Sequence, residues 1–148
     1  MYLEDFKEGA TFASETKEVK EEDIQEFARL TGDYNRLHID PDYAKGIGFG
    51  RGIVAHGLLT LSLGLGLWHS QNLTNGTILA FLGLEKVSFL APVYPGDKLQ
   101  LFTEVSSVRE SKSREDAGLV SLKMTIKSDV ENKSVLEGTL VLMMKRRK

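Results

Sequence analysis

The stretch HGLLTLSLGLGLWHS, His56 to Ser70, limits the fold more than any other part of this chain. From Gly57 to Trp68 it carries no charged side chain. Leu59, Leu61, Leu63, Leu65 and Leu67 alternate as a half-buried strand would. Against a strand stand the strong helix formers and a single β-branched residue, Thr60. Read as a helix, the same leucines surround the axis, the pattern of a helix buried on every side. Gly64 and Gly66 each cost about 1 kcal/mol relative to Ala in a helix interior. They also let a neighbouring element come close. We read the segment as a central helix, which obliges the rest of the chain to build a shell around it.

The later sequence supplies that shell. After the Asn75-Gly76 turn the pattern becomes β, with expected strands Thr77 to Phe89, Lys98 to Arg109, Leu119 to Val130 and Ser134 to Met144. The third is the clearest: Val120, Leu122, Met124 and Ile126 share one face, and Ser121, Lys123, Thr125 and Lys127 the other. Thr11 to Lys17 is expected to complete the sheet. Ahead of the leucine-rich segment, EEDIQEFARLTG reads as a short helix with acids at its start, Ile24, Phe27, Ala28 and Thr31 on one face, and Gly32 as its stop. Lys20 stands where a capping Ser or Thr would be expected. DPDYAKG signals another short helix, capped by Asp40, entered at Pro41 and ended at Gly46. Helices followed by consecutive antiparallel strands define an α+β class, with one apolar helix packed on one curved sheet.

No repeat or linker divides the 148 residues, so one domain spanning 1–148 is expected. A net charge of -2 argues against a phosphate-tracking nucleic-acid binder. The absence of cysteine excludes disulfides, thiolate metal sites and a cysteine nucleophile. Neither a signal peptide nor a membrane span is legible, so a cytoplasmic protein without a membrane partner is expected.

The densest chemistry lies in TGDYNRLHID, Thr31 to Asp40. On a continuous helix Asp33 and His38 would diverge by about 140°. If Gly32 ends the helix, Asp33 to Ile39 becomes a connecting loop able to bring both side chains to one point. Taken alone, D-x-N-x-x-H also suits local turn hydrogen bonds by Asp33 and Asn35, with His38 simply packed. His38 and Asp40 make a poor metal pair without a third ligand, so no metal is expected.

Taken together, TGDYNRLHIDPDYA and GFGRGIVAHGLL resemble the MaoC-like dehydratases, the (R)-specific enoyl-CoA hydratases of the hot-dog fold. The resemblance rests on Thr31, Gly32, Asp33, Asn35, His38, Asp40, Pro41, Tyr43, Ala44, Phe49, Gly50, His56 and Gly57, and extends less specifically over nearly the whole chain. It implies a curved antiparallel sheet wrapped around the hydrophobic helix. It also implies reversible hydration of a trans-2-enoyl thioester of CoA or acyl carrier protein, with no further cofactor. Asp33 and His38 would hold the attacking water, with Asp33 the favoured base; which of them delivers the C2 proton stays open. The backbone amide of Gly57 would bind the thioester oxygen, its missing side chain admitting the substrate. Asn35 and His56 would support the site, and His69 would lie exposed near the helix end. Relatives pair edge to edge, so a homodimer or higher homo-oligomer is expected.

One departure is Arg36, where the family usually has proline, which would loosen the loop; its cation, close to Asp33 in sequence, is read as pointing into solvent rather than acting on that carboxylate. Gly46, Gly48, Gly50 and Gly52 lack the spacing of a dinucleotide loop and are read as a flap at the tunnel mouth. Arg51 and the closing KRRK are read as solvated cations rather than phosphate ligands. Leucines and Trp68 are expected to line an apolar acyl pocket. A hot-dog thioesterase is the alternative enzyme, but the central segment has no carboxylate of the kind several such enzymes place there. A non-catalytic acyl-thioester binder is the third reading; the presence of both Asp33 and His38 counts against it.

Overall fold

The computed structural model describes residues 1–148. Five strands, β1 (Thr11–Glu18), β2 (Ile78–Phe89), β3 (Lys98–Glu110), β4 (Ala117–Ser128) and β5 (Lys133–Lys145), form one antiparallel sheet in the order β1-β3-β4-β5-β2. Four helices precede β2 in the chain: α1 (Glu21–Thr31), α2 (Arg36–Ile39), α3 (Pro41–Gly46) and α4 (Gly57–Ser70). The sheet curves around α4, which is the hot-dog arrangement.

The leucine-rich segment is therefore a helix, and its glycines show why. A Cβ at Gly64 would run into Cδ1 of Ile126 and lie 3.2 Å from its Cγ1, so β4 approaches the helix through the space that Gly64 leaves empty. Leu59, Leu61, Leu67 and Trp68 join one apolar core with the inward residues of the sheet. Val120, Leu122, Met124 and Ile126 are all buried, as their alternation in β4 requires. Strand β4 differs from its expected span, starting at Ala117 and stopping at Ser128. Its end is chemical: the Ser128 hydroxyl accepts from the Val130 N–H at 3.2 Å, and Glu131 and Asn132 then take positive φ values of 59° and 49° in a tight turn. No helix is long and apolar enough to cross a membrane.

Helix α1 ends where expected. Gly32 adopts a left-handed conformation at φ 80°, and its N–H donates to the Ala28 carbonyl at 2.8 Å. At the other end the carboxylate of Asp23 accepts from the Lys20 N–H at 2.9 Å, supplying a cap from inside the helix that the Lys20 side chain does not give. Ile24 and Ala28 are buried, whereas Thr31 is exposed and bonds back to its own helix.

Candidate active site

The site is assembled by successive short caps. Beyond Gly32 the Thr31 hydroxyl accepts from the Asp33 N–H at 3.2 Å, and the Asp33 carboxylate accepts from the Asn35 N–H at 3.2 Å. The Asn35 side chain accepts from the Leu37 N–H at 3.3 Å and so caps α2. Residues 33–39, expected as a loop, thus contain a single turn of helix; it is too short to show any apolar period. Arg36 occupies the first helical position, where proline is favoured. Rather than facing Asp33, Arg36 pairs with Asp40 at 3.2 Å and lies over the Tyr43 ring at 4.3 Å. These contacts brace the turn that the missing proline was expected to loosen. Asp40 also caps α3, accepting from the Tyr43 N–H at 3.1 Å. That bond first, then Arg36, holds its carboxyl below the ordinary carboxylate range.

Helix α2 carries His38 inward, to 9% exposure. Its Nδ1 lies 2.7 Å from the Val54 carbonyl. A carbonyl only accepts, so Nδ1 holds the ring proton and Nε2 is left with a free lone pair. Burial pushes the His38 pKa down, assisted by His56; the Val54 hydrogen bond and the Asp33 charge oppose that shift. His56, just ahead of α4, stacks on His38 with centroids 3.7 Å apart and planes inclined by 23°. Its other neighbour is Phe27 of α1, at 4.9 Å. Nε2 of His56 donates to the Asp33 carbonyl at 3.0 Å, while its Nδ1 is buried without a partner. His56 therefore ties α1, the Asp33 turn and His38 into one unit.

Asp33, His38 and His56 each bring a donor atom within 4.8 Å of the other two. The set suits a metal poorly, because rings stacked nearly parallel aim their lone pairs along nearly parallel planes rather than at one ion. His38 and Gly57 line an apolar cavity of about 560 Å³, together with Leu37, Phe49, Thr60, Phe89 and Leu90 among others. Asp33 is exposed beside His38 rather than lining the cavity; Asn35 and His56 do not line it either. The first backbone bond into α4 is made by the Thr60 N–H to the His56 carbonyl, so the Gly57 N–H is unpaired at the positive end of the helix.

Several expectations need correction. Trp68 is not a pocket residue: it is fully buried, edge-on to Phe12 at 5.8 Å. Leu59, Leu61 and Leu67 belong to the core, and the pocket leucines are Leu37 and Leu90. The glycine-rich segment 46–52 is bonded down rather than free, with the Phe49 N–H on the Ala44 carbonyl at 2.9 Å and Arg51 paired to buried Asp97 at 2.7 Å. Arg146 and Arg147 pair with Glu110 and Asp5 near the N-terminal residues. His69 is exposed as expected. Among the cavity residues that the sequence left without a role are Thr60 and Phe89. Thr60 did leave a signal, as the one β-branched side chain in the leucine run. Phe89 left none.

The model of the MaoC like domain matches residues 6–127. The chain belongs to this family. Among MaoC-like proteins it is similar to the (R)-specific enoyl-CoA hydratase of Aeromonas caviae, 41% identical over 61% of this chain and 64% of that one. The 3-hydroxyacyl-thioester dehydratase Z of Mycobacterium tuberculosis is 34% identical over 76% of this chain and 71% of its own length. In structure, the MaoC-like dehydratase from Rhodospirillum rubrum superposes with a TM-score of 0.87 at 29% identity, covering 100% of this chain and 99% of that one. MaoC-like relatives thus include both hydratases and dehydratases, which places this chain in a lyase-type family.

Proposed function

We propose that the protein is a hydro-lyase that interconverts a trans-2-enoyl thioester and the (R)-3-hydroxyacyl thioester, with the acyl group carried by CoA or by an acyl carrier protein. The observation that carries this reading is the unpaired N–H of Gly57, which lines the same apolar cavity as His38, with an Asp33 carboxylate oxygen within 4.8 Å of a His38 ring nitrogen. The names of the Aeromonas and Mycobacterium relatives support the reaction class.

The chemistry follows from the acceptors. A water molecule between Asp33 and His38 donates one hydrogen to the carboxylate and the other to Nε2, so its oxygen lone pair is free to attack C3. As the C3–O bond forms, the C2–C3 π electrons move toward the thioester oxygen, where the Gly57 N–H and the helix dipole stabilise the developing charge. The group that takes the water proton returns it to C2, which restores both side chains and balances the addition. Water is added without oxidation or reduction, so the step needs no redox cofactor.

A homodimer belongs to the same reading. Strand β2 is a free sheet edge with Phe81, Leu82 and Phe89 about half exposed, a surface suited to pairing with a second copy. The test is to mix the pure protein with crotonyl-CoA and longer enoyl-CoAs, follow loss of the conjugated absorbance and determine the chirality of the product. Asp33→Asn and His38→Ala are each expected to lower kcat by about 10²- to 10⁴-fold. Absence of turnover on every enoyl thioester, or unchanged rates in both variants, refutes the reading; thioester cleavage would indicate a thioesterase instead.

A further inference from the structure

The cavity holds one polar side chain besides His38, and it has no partner. Thr60 is 3% exposed and lines the cavity one turn beyond Gly57. Every other helical serine or threonine hydroxyl in this protein bonds back to its own helix: Thr31 to the Phe27 carbonyl at 2.7 Å, Ser62 to the Leu58 carbonyl at 2.7 Å and Ser70 to the Leu67 carbonyl at 2.8 Å. Thr60 makes no such bond, although its backbone N–H uses the His56 carbonyl in the ordinary way. Its Oγ1 is not sealed in the protein interior, so the hydroxyl is open to the cavity that Thr60 lines. A hydroxyl that opens onto the cavity and spends no bond on its own helix is free to donate to a partner that arrives with the ligand.

Geometry indicates which part of the ligand. Side chains at i and i+3 lie on one face of a helix, and each Cα–Cβ bond tilts toward the N-terminus. The Thr60 hydroxyl consequently overhangs the turn that starts at Gly57, the turn whose amides are unpaired. We propose that Thr60 is a further catalytic residue: its hydroxyl donates to the thioester oxygen alongside the Gly57 N–H, giving the developing oxyanion two donors, one from the backbone and one from a side chain. This rests on the hydratase reading above and adds to it a second donor.

The test is Thr60→Val, which keeps the shape and removes the donor, together with Thr60→Ser, which restores it. With a short enoyl-CoA, Thr60→Val is expected to lose about 10²-fold in kcat with KM little changed, as when one oxyanion donor is removed. Thr60→Ser should recover most of that loss, and the melting temperature of Thr60→Val should not fall. Wild-type kcat in Thr60→Val overturns the proposal. So does a loss that Thr60→Ser fails to recover, which would assign the effect to packing, or a rise confined to KM. Should Thr60→Val not fold, Thr60→Ala against Thr60→Ser gives the same comparison. A wild-type protein inactive on all enoyl thioesters defeats the hydratase reading itself, an outcome distinct from any of these.

Discussion

Gly57→Ala probes the point where the helix, the edge strand and the proposed oxyanion position meet. Its new Cβ would lie 2.8 Å, 2.9 Å and 3.3 Å from Cε1, Cδ1 and Cζ of Phe89. Ordinary carbon contacts are about 3.5–4.0 Å, so the ring must retreat by roughly 1 Å. Overpacking a rigid core costs about 1–3 kcal/mol. Phe89 is 53% exposed at the end of an edge strand and has room to swing, which holds the expected loss to about 1 kcal/mol, near the lower bound for overpacking. For a chain of this size that lowers the melting temperature by about 2–4 °C. Activity should suffer more, because the methyl group stands beside the amide and displaces a cavity wall; a misplacement of about 1 Å costs about 10²-fold in rate. Thermal melting and enoyl-CoA kinetics on the same preparation separate the two effects. Wild-type kcat/KM in Gly57→Ala would refute the assignment of the thioester oxygen to this amide. A melting temperature lowered by more than about 10 °C would show instead that Phe89 is locked in place rather than free to yield.

His38 acts as an acceptor only when neutral, and its pKa is lowered, so kcat/KM should hold down through pH 6.5 and decline only in more acidic solution, as a pH–rate profile would show. The same shift links to stability: unfolded His38 binds its proton more readily than the folded residue, so unfolding free energy should fall as pH drops below about 6.5 and level off beneath the folded pKa, a trend that His38→Gln should diminish in denaturant titrations. Two glycines of α4 should respond in opposite senses to alanine. At Gly66 nothing lies within 4 Å of the new Cβ, and the helix should gain about 1 kcal/mol; at Gly64 the clash with buried Ile126 should outweigh that gain, with melting temperatures checking both signs.

These predictions sort by how much of each was legible before the fold was known. The end of α1 and the start of α3 were readable because Gly32 and Asp40 act locally, whereas the cap that Asp23 gives α1 from inside the helix went unread behind Lys20. The pairing of Asp33 with His38 was readable once Gly32 was taken to free the segment after it. The intervening turn of helix was not, since its four residues hold less than two turns' worth of pattern. Trp68 was misplaced because size and apolarity indicate burial without saying in which space, and the space turned out to be the core beside Phe12 rather than the cavity.

Gly57 shows the same limit in its strictest form. That the chain needs a residue without a side chain here is local information, and it suggested room for a substrate. The atoms that occupy that room belong to Phe89, on a strand reached only after the whole of α4 and the turn beyond it. Nothing at position 57 could specify that partner, because the contact is fixed by where the sheet edge runs. The glycine is therefore favoured by the packing as well as by any ligand. Removing the ring by Phe89→Ala in the Gly57→Ala background would free the folding requirement while keeping the methyl group beside the amide; recovery of stability without recovery of rate is the result expected if both requirements hold.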